Sequence, residues 1–110
     1  MNIEDYRNFC LSLGDEVEEK MPFVAFKAAQ GVLAFYVSGH IFCFFNSNNF
    51  GTVTLKCQPE RIAELKELYP CVGNPYNMSR KHWIGVDAFS APDTLLTDLT
   101  RNSYCLVKNG

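Results

Sequence analysis

The sequence predicts an α+β fold in which three helices pack on an antiparallel sheet of about five strands, in the order α-β-β-β-β-α-β-α. Apolar residues recur at helical spacing in three stretches, at the start, past the middle and at the end of the chain. Between them lie short runs that are rich in β-branched and aromatic residues and bounded by turn residues. With 110 residues, 47% of them hydrophobic, we expect one domain, spanning 1–110, with a core of its own.

The first helix is predicted over residues 3–13, IEDYRNFCLSL, where apolar side chains recur at spacings of three and four. Asn2 can cap its first turn, and Gly14 can end it. The acidic stretch DEVEEKMP that follows is interpreted as a solvated connector. Its alternative reading is a cation site, but nothing in it fixes a ligand geometry.

Four strands are predicted next, as VAFKAA, VLAFYV, HIFCFFN and TVTLKC, with a tight turn at Ser38-Gly39. The second and third are apolar on both faces, so we expect a covering layer on each side of them. The fourth alternates, which predicts that Val53 and Leu55 face inward and that Thr54 and Lys56 face outward. The loop NSNNFG before it is interpreted as a plain turn or, alternatively, as a wing that touches a partner.

The second half of the chain predicts a helix, a strand and a helix. PERIAELKELYP starts with a proline suited to a first helical turn, and its second proline stops the helix. Residues 71–81 are expected to be irregular, and HWIGVDAF to be a strand. The last helix, APDTLLTDLTRNSYCLVKN, is expected to pack through one side formed by Leu95, Leu99, Asn102 and Leu106.

Charge and cysteine content restrict the function classes. The net charge of −2 disfavours strong non-specific binding to DNA, which depends on many cations. Five scattered cysteines, an odd number without metal-binding spacing, predict reduced core thiols and a cytoplasmic protein. No apolar run approaches the length of a membrane helix and no signal peptide is visible, so we expect no membrane association.

Enzymatic motifs are absent from the sequence. There is no GxSxG, HExxH or phosphate-binding glycine loop, and His40 and His82 are the only histidines. In a regular strand His82 and Asp87 would point to opposite faces, so they would not form an orienting pair. The sequence therefore predicts no enzyme, no metal site and no cofactor.

Four segments carry a resemblance to a known family. They are EDYRNFCLSLGDEVEEKMPF, TVTLKCQPERIAELKELYP, YNMSRKHWIGVD and APDTLLTDLTRNSYCLV. In these segments the chain resembles the MmcQ/YjbR family of small bacterial proteins. The resemblance implies a compact α+β fold related in shape to frataxin-like proteins, and a DNA-binding role proposed for the family from paired hairpin wings. It implies neither an enzymatic activity nor a cofactor.

The tetrad Arg80-Lys81-His82-Trp83 is the part of the sequence richest in candidate chemistry. Trp83 could stack on a base while the two cations bind phosphates. Alternatively the tetrad is a structural junction, with Gly85 making room for a helix that passes over it. The candidate nucleic-acid-binding residues are Lys56, Tyr76, Asn77, Arg80, Lys81, His82 and Trp83.

These residues predict a weak DNA-binding module. Even with Arg101 added to the three cations of that set, only about four phosphates could be contacted. The alternative is a protein- or ligand-interaction module, or a homodimer, with no role in nucleic-acid binding. A large exposed apolar patch would favour that alternative.

Overall fold

The computed structural model describes residues 1–27 and 30–110, and it confirms the predicted α+β class and order of elements. One short strand is added after the second helix. The elements are α1 (Ile3–Ser12), β1 (Glu18–Lys20), β2 (Val32–Val37), β3 (His40–Asn46), β4 (Thr52–Lys56), α2 (Pro59–Leu68), β5 (Val72–Gly73), β6 (Trp83–Asp87) and α3 (Asp93–Asn109).

All strand pairs are antiparallel, and the sheet order is β1-β2-β3-β4-β6-β5. One face packs against the helices, and we call it the helix face. The other face carries Ala34, Phe44, Thr54 and Gly85 across four neighbouring strands. Non-helical segments cover this second face, and we call it the loop face. The two-sided covering predicted for β2 and β3 is therefore confirmed.

The main core lies between the sheet and the helices. A shift of register between Phe35 and Tyr36 leaves Phe42 as an extra residue in β3, so Phe42 and Cys43 both lie in this core. The α3 helix is fixed to the sheet by Ser103, whose hydroxyl donates to the carbonyl of Phe42 and accepts from the amide of Lys56 at 2.8 Å. This contact sets the depth at which α3 packs on β3 and β4.

The first strand lies earlier than predicted. Residues 24–26 of the predicted strand VAFKAA form a turn and a bend, and its Ala28 and Ala29 lie outside the described residues. Glu18–Lys20, in the predicted connector, pairs with β2 instead, and Arg7 binds Glu19 through two hydrogen bonds of 2.7 and 2.8 Å. Charged residues are usual on an edge strand, and they give no hydrophobic alternation to detect.

Two predictions about which side chains are buried are also wrong. The buried side of α3 consists of Leu96, Leu99, Thr100, Ser103, Tyr104 and Val107, whereas Leu95, Asn102 and Leu106 are only partly buried. Hydroxyl groups cause the error, since Thr100 and Ser103 are buried through hydrogen bonds that a hydrophobic pattern does not register. Thr54, which was expected to be exposed, is fully buried under the segments that cover the loop face.

Most of the cysteines are buried, as the sequence predicts, although Cys71 is only partly buried and Cys105 is exposed. Cys10, Cys43 and Cys57 are buried, and burial raises the pKa of the Cys10 and Cys57 thiols. These groups therefore remain protonated and pack as small apolar side chains. Within the described residues, no helix has the length and apolar character needed to cross a membrane.

Candidate functional site

Residues 74–78, which we call the crossing segment, run from the end of β5 over the loop face. The carbonyl of Asn74 lies against Gly85, and the amide of Tyr76 donates to the Thr54 hydroxyl at 3.2 Å. Met78 packs on a small second core formed by Val32, Ala34 and Phe44. The segment thus extends from one edge of the sheet to its middle.

A tight turn over residues 79–82 then returns the chain to β6. The amides of His82 and Trp83 both donate to the Ser79 carbonyl, at 3.3 and 3.0 Å, and the amide of Lys81 donates to the Ser79 hydroxyl at 3.3 Å. The carbonyl of His82 accepts from the amide of Cys57 at 2.9 Å. The tetrad is therefore held beside the end of β4.

The structure brings the predicted site residues to one corner of the loop face. Lys56 pairs in register with Trp83, and both are partly buried, whereas Arg80, Lys81 and His82 are exposed. Tyr76 is 56% exposed, and Asn77 next to it is also exposed. We call this set the basic–aromatic patch: Lys56, Tyr76, Asn77, Arg80, Lys81, His82 and Trp83.

Of two further cations, Lys66 lies near this corner and Arg101 does not. Lys66, at the end of α2, donates to the Asn74 side chain at 2.7 Å, which sequence reasoning missed because no local pattern links α2 to residue 74. Arg101 lies on α3 in the helix layer, paired with Asp98 at 3.1 Å and 5.5 Å over the ring of Phe9. It does not join the patch.

The charges of the patch are not neutralised by neighbouring carboxylates. Within residues 1–27 and 30–110, the ion pairs at 4.0 Å or less include none of Lys56, Arg80 and Lys81. The patch therefore presents its positive charge to solvent.

Two adjoining cavities lie on the loop face, on either side of Tyr76. The larger, of about 420 Å³, we call the apolar compartment; it is lined by Phe23, Phe26, Val32, Ile41, Phe44, Tyr76, Asn77 and Met78. The smaller, of about 280 Å³, we call the polar compartment; it is lined by Val32, Phe44, Phe45, Asn46, Asn49, Gly51, Thr52, Thr54 and Tyr76. Sequence reasoning missed both, because residues far apart in the chain form their walls.

The loop NSNNFG lies at the polar compartment. Asn46 accepts from the amide of Asn48 at 2.8 Å, and Ser47 donates through its amide and its hydroxyl to the carbonyl of Gly31, at 2.7 and 2.8 Å. This arrangement is a well-bonded turn that places Asn46 and Asn49 in the cavity wall.

The acid–base candidates His82 and Asp87 lie at opposite ends of β6, and His82 precedes the strand, so strand parity does not apply to it. The Asp87 carboxylate accepts from the amide of Phe89 at 3.0 Å and the hydroxyl of Ser90 at 2.9 Å, whereas His82 lies beyond the opposite end of β6. In the part of the chain that the structure describes, no three His, Cys, Asp or Glu side chains gather as ligands would.

A family model and a curated protein are similar to this chain in sequence. The model of the YjbR family matches residues 12–106. The uncharacterized protein YbdF of Escherichia coli O157:H7 is 31% identical over 78 residues, which cover 69% of this chain and 64% of YbdF. This chain thus spans less than two thirds of the length of that curated relative.

Two solved structures are similar to the present one. Protein DR2400 of Deinococcus radiodurans, a DUF419 domain, matches with a TM-score of 0.84 and 28% identity, over 96% of this chain and 78% of that chain. A protein from Pseudomonas syringae matches with a TM-score of 0.80 and 20% identity, over 97% of this chain and 99% of that chain, and this likeness concerns the fold alone.

Proposed function

The chain belongs to the YjbR family, and from that premise we propose that it is a non-enzymatic domain that binds nucleic acid weakly through the basic–aromatic patch. One observation carries the proposal. Register pairing places Lys56 beside Trp83, and the turn at residues 79–82 adds the exposed Arg80 and Lys81 to the same corner. Cations that neutralise phosphates beside aromatic rings that stack on bases are the usual means of binding a polynucleotide.

The expected affinity is low. With Arg101 engaged on the other side of the sheet, Lys56, Arg80 and Lys81 can neutralise about three phosphates, which predicts a salt slope of roughly −2 to −3. The net charge of −2 adds a weak overall repulsion. Binding in the micromolar range at low salt is therefore the expected outcome.

The test is fluorescence anisotropy with labelled single- and double-stranded oligonucleotides at 50 and 200 mM salt. Trp83 is the only tryptophan, so its own emission gives a second readout at the patch. The variant Arg80→Ala/Lys81→Ala is expected to lose most of the binding and to flatten the salt dependence. The matched control is Arg101→Gln, which removes an exposed cation from the other layer and should bind as the parent does.

Flat binding curves up to roughly 100 μM at low salt, the weak end of non-specific binding, would end the proposal. Equal losses in the double variant and in Arg101→Gln would also contradict it, because they would indicate a general charge effect. The proposed location is the cytoplasm, which the scattered free cysteines favour.

A second candidate function, a protein- or ligand-interaction module with no nucleic-acid role, is favoured by Phe89. This side chain is 94% exposed, in a turn fixed by the Asp87 carboxylate. A rigidly presented aromatic is a typical anchor of a protein interface. A sedimentation coefficient that rises with concentration in the parent but not in Phe89→Ser would support a homodimer.

A further inference from the structure

We propose that the apolar compartment holds one unstacked nucleobase, and that the polynucleotide bound by this domain is therefore single-stranded. This inference rests on the proposed function and names the form of nucleic acid and the place of the base. It starts from the position of the compartment directly beside the basic–aromatic patch, with which it shares Tyr76 and Asn77.

The apolar compartment is large enough for an aromatic group. Its floor is the sheet, with Val32, Ile41 and Phe44. Its walls are residues 21–27, which follow the edge strand β1, and the crossing segment, which follows the opposite edge strand β5. The two walls thus reach the floor from opposite edges of the sheet. A volume of about 420 Å³ lies at the lower end of the range for small-ligand sites, roughly 300–1,000 Å³.

The lining has the composition that stacking requires. Phe23 and Phe26 stand on one wall and Tyr76 on the other, and Phe26 and Tyr76 are 65% and 56% exposed. Aromatic rings left open to solvent beside an apolar floor offer π-faces that any of the four bases can use. A phenol and an amide, from Tyr76 and Asn77, add hydrogen-bonding groups at the rim.

The positions of Arg80 and Lys81 indicate where the phosphates of a bound nucleic-acid strand would lie. Arg80 and Lys81 follow Met78 by two and three residues, so their Cα atoms lie within roughly 11 Å of it. Their long side chains can therefore contact phosphates of a strand that has one base in the compartment. A duplex cannot use this site in the same way, because its bases are stacked and paired inside the helix.

The experiment compares three labelled ligands of the same length at 50 mM salt: a deoxythymidine 12-mer, an abasic 12-mer with the same phosphates, and a duplex. The parent protein is expected to bind the thymidine strand on the order of ten-fold more tightly than the abasic strand. Tyr76→Ala should remove that preference, and Tyr76→Phe should keep it. Leu11→Ala, which removes an exposed apolar side chain from α1 in the helix layer, is the control and should bind as the parent does.

The outcomes separate the two proposals. If all strands bind equally, if Tyr76→Ala changes nothing and if Arg80→Ala/Lys81→Ala still weakens binding, the base compartment is wrong and the proposed function stands. If no ligand binds the parent, both are overturned. Because Tyr76 and Phe26 are largely exposed, the alanine variants should fold. Phe26→Ala on the opposite wall gives an independent test, with a loss of preference expected there too.

Discussion

Gly85 lies directly beneath the main-chain carbonyl of Asn74, so close that a Cβ atom at position 85 would collide with that oxygen. The glycine does make room for a covering element, as the sequence suggests, but that element is the crossing segment rather than a helix. Close approach of two backbones is a recurrent reason for glycine inside a strand. This contact lets the crossing segment lie flat on the sheet and sets the position of Tyr76.

Gly85→Ala is therefore expected to lift the crossing segment from the sheet. Because backbone atoms rather than a flexible side chain must move, we expect the free energy of unfolding to fall by about 1–3 kcal/mol in urea denaturation. The control is Gly73→Ala, at the paired position on β5, where an added Cβ meets nothing within 4 Å. Equal losses in the two variants would contradict this account.

The hydroxyl of Thr54 is expected to be the main polar support of the crossing segment. Thr54→Val keeps the shape but leaves the Tyr76 amide without its acceptor, which should cost about 1–3 kcal/mol of unfolding free energy. Hydrogen exchange at the Tyr76 amide should also become faster. Thr54→Ser keeps the hydroxyl and should preserve the protection of that amide, although it loses a buried methyl group. Unchanged exchange in Thr54→Val would mean that other contacts hold the segment.

Hydrophobic patterning predicted the elements that pack on the main core. The strands β2, β3, β4 and β6 lie where runs of β-branched and aromatic residues placed them, and the three helices lie where helical spacing placed them, because their core contacts depend on apolar side chains. The edge strand β1 was missed because Glu18–Lys20 contributes main-chain pairing and ion pairs instead. The burial of Thr54 was predicted wrongly and that of Thr100 was not predicted, because both hydroxyls depend on distant hydrogen-bond partners.

The candidate site was predictable in part for a similar reason. Side chains alternate along a strand, so Trp83 lies on the same side of β6 as Gly85 and opposite to Ile84, and its register partner is Lys56. The two compartments were not predictable, because their walls come from residues 21–27, from β2 and β3, and from the crossing segment. These segments meet only in the tertiary structure, and no local sequence pattern predicts that they do.

The hairpin turn at Ser38 and Gly39 should be open to stabilisation. Both residues have positive φ, 53° and 79°, as a two-residue type I′ turn requires. Asparagine tolerates this conformation better than serine does, so Ser38→Asn should raise the free energy of unfolding by about 0.5 kcal/mol. Ser38→Val, with a β-branched side chain, should lower it by about 1–2 kcal/mol. A gain from valine in thermal or urea unfolding would contradict the turn type.

The fold should lose stability in acid through Glu16. Its carboxylate accepts a hydrogen bond from the Tyr104 hydroxyl and lies 3.0 Å from the Lys108 ammonium. The bond from Tyr104 is the largest of the contacts that lower the pKa of Glu16 from 4.5 to about 2. Because the folded pKa is the lower one, the ionised carboxylate stabilises the fold above about pH 4.5. That contribution is lost as the pH falls from 4.5 towards 2.

Glu16→Gln cannot ionise, so its melting temperature should lie below that of the parent at pH 6, and the gap should close as the pH approaches 2. Calorimetry between pH 2 and 7 measures the gap directly. Asp15→Asn changes the same charge one residue away, without touching the contacts of Tyr104 and Lys108, and should show no such convergence. A difference in melting temperature that stays constant with pH would mean that Glu16 acts through its shape. The same dependence on pH in Asp15→Asn would mean that Glu16 acts through net charge rather than through its ionised contacts.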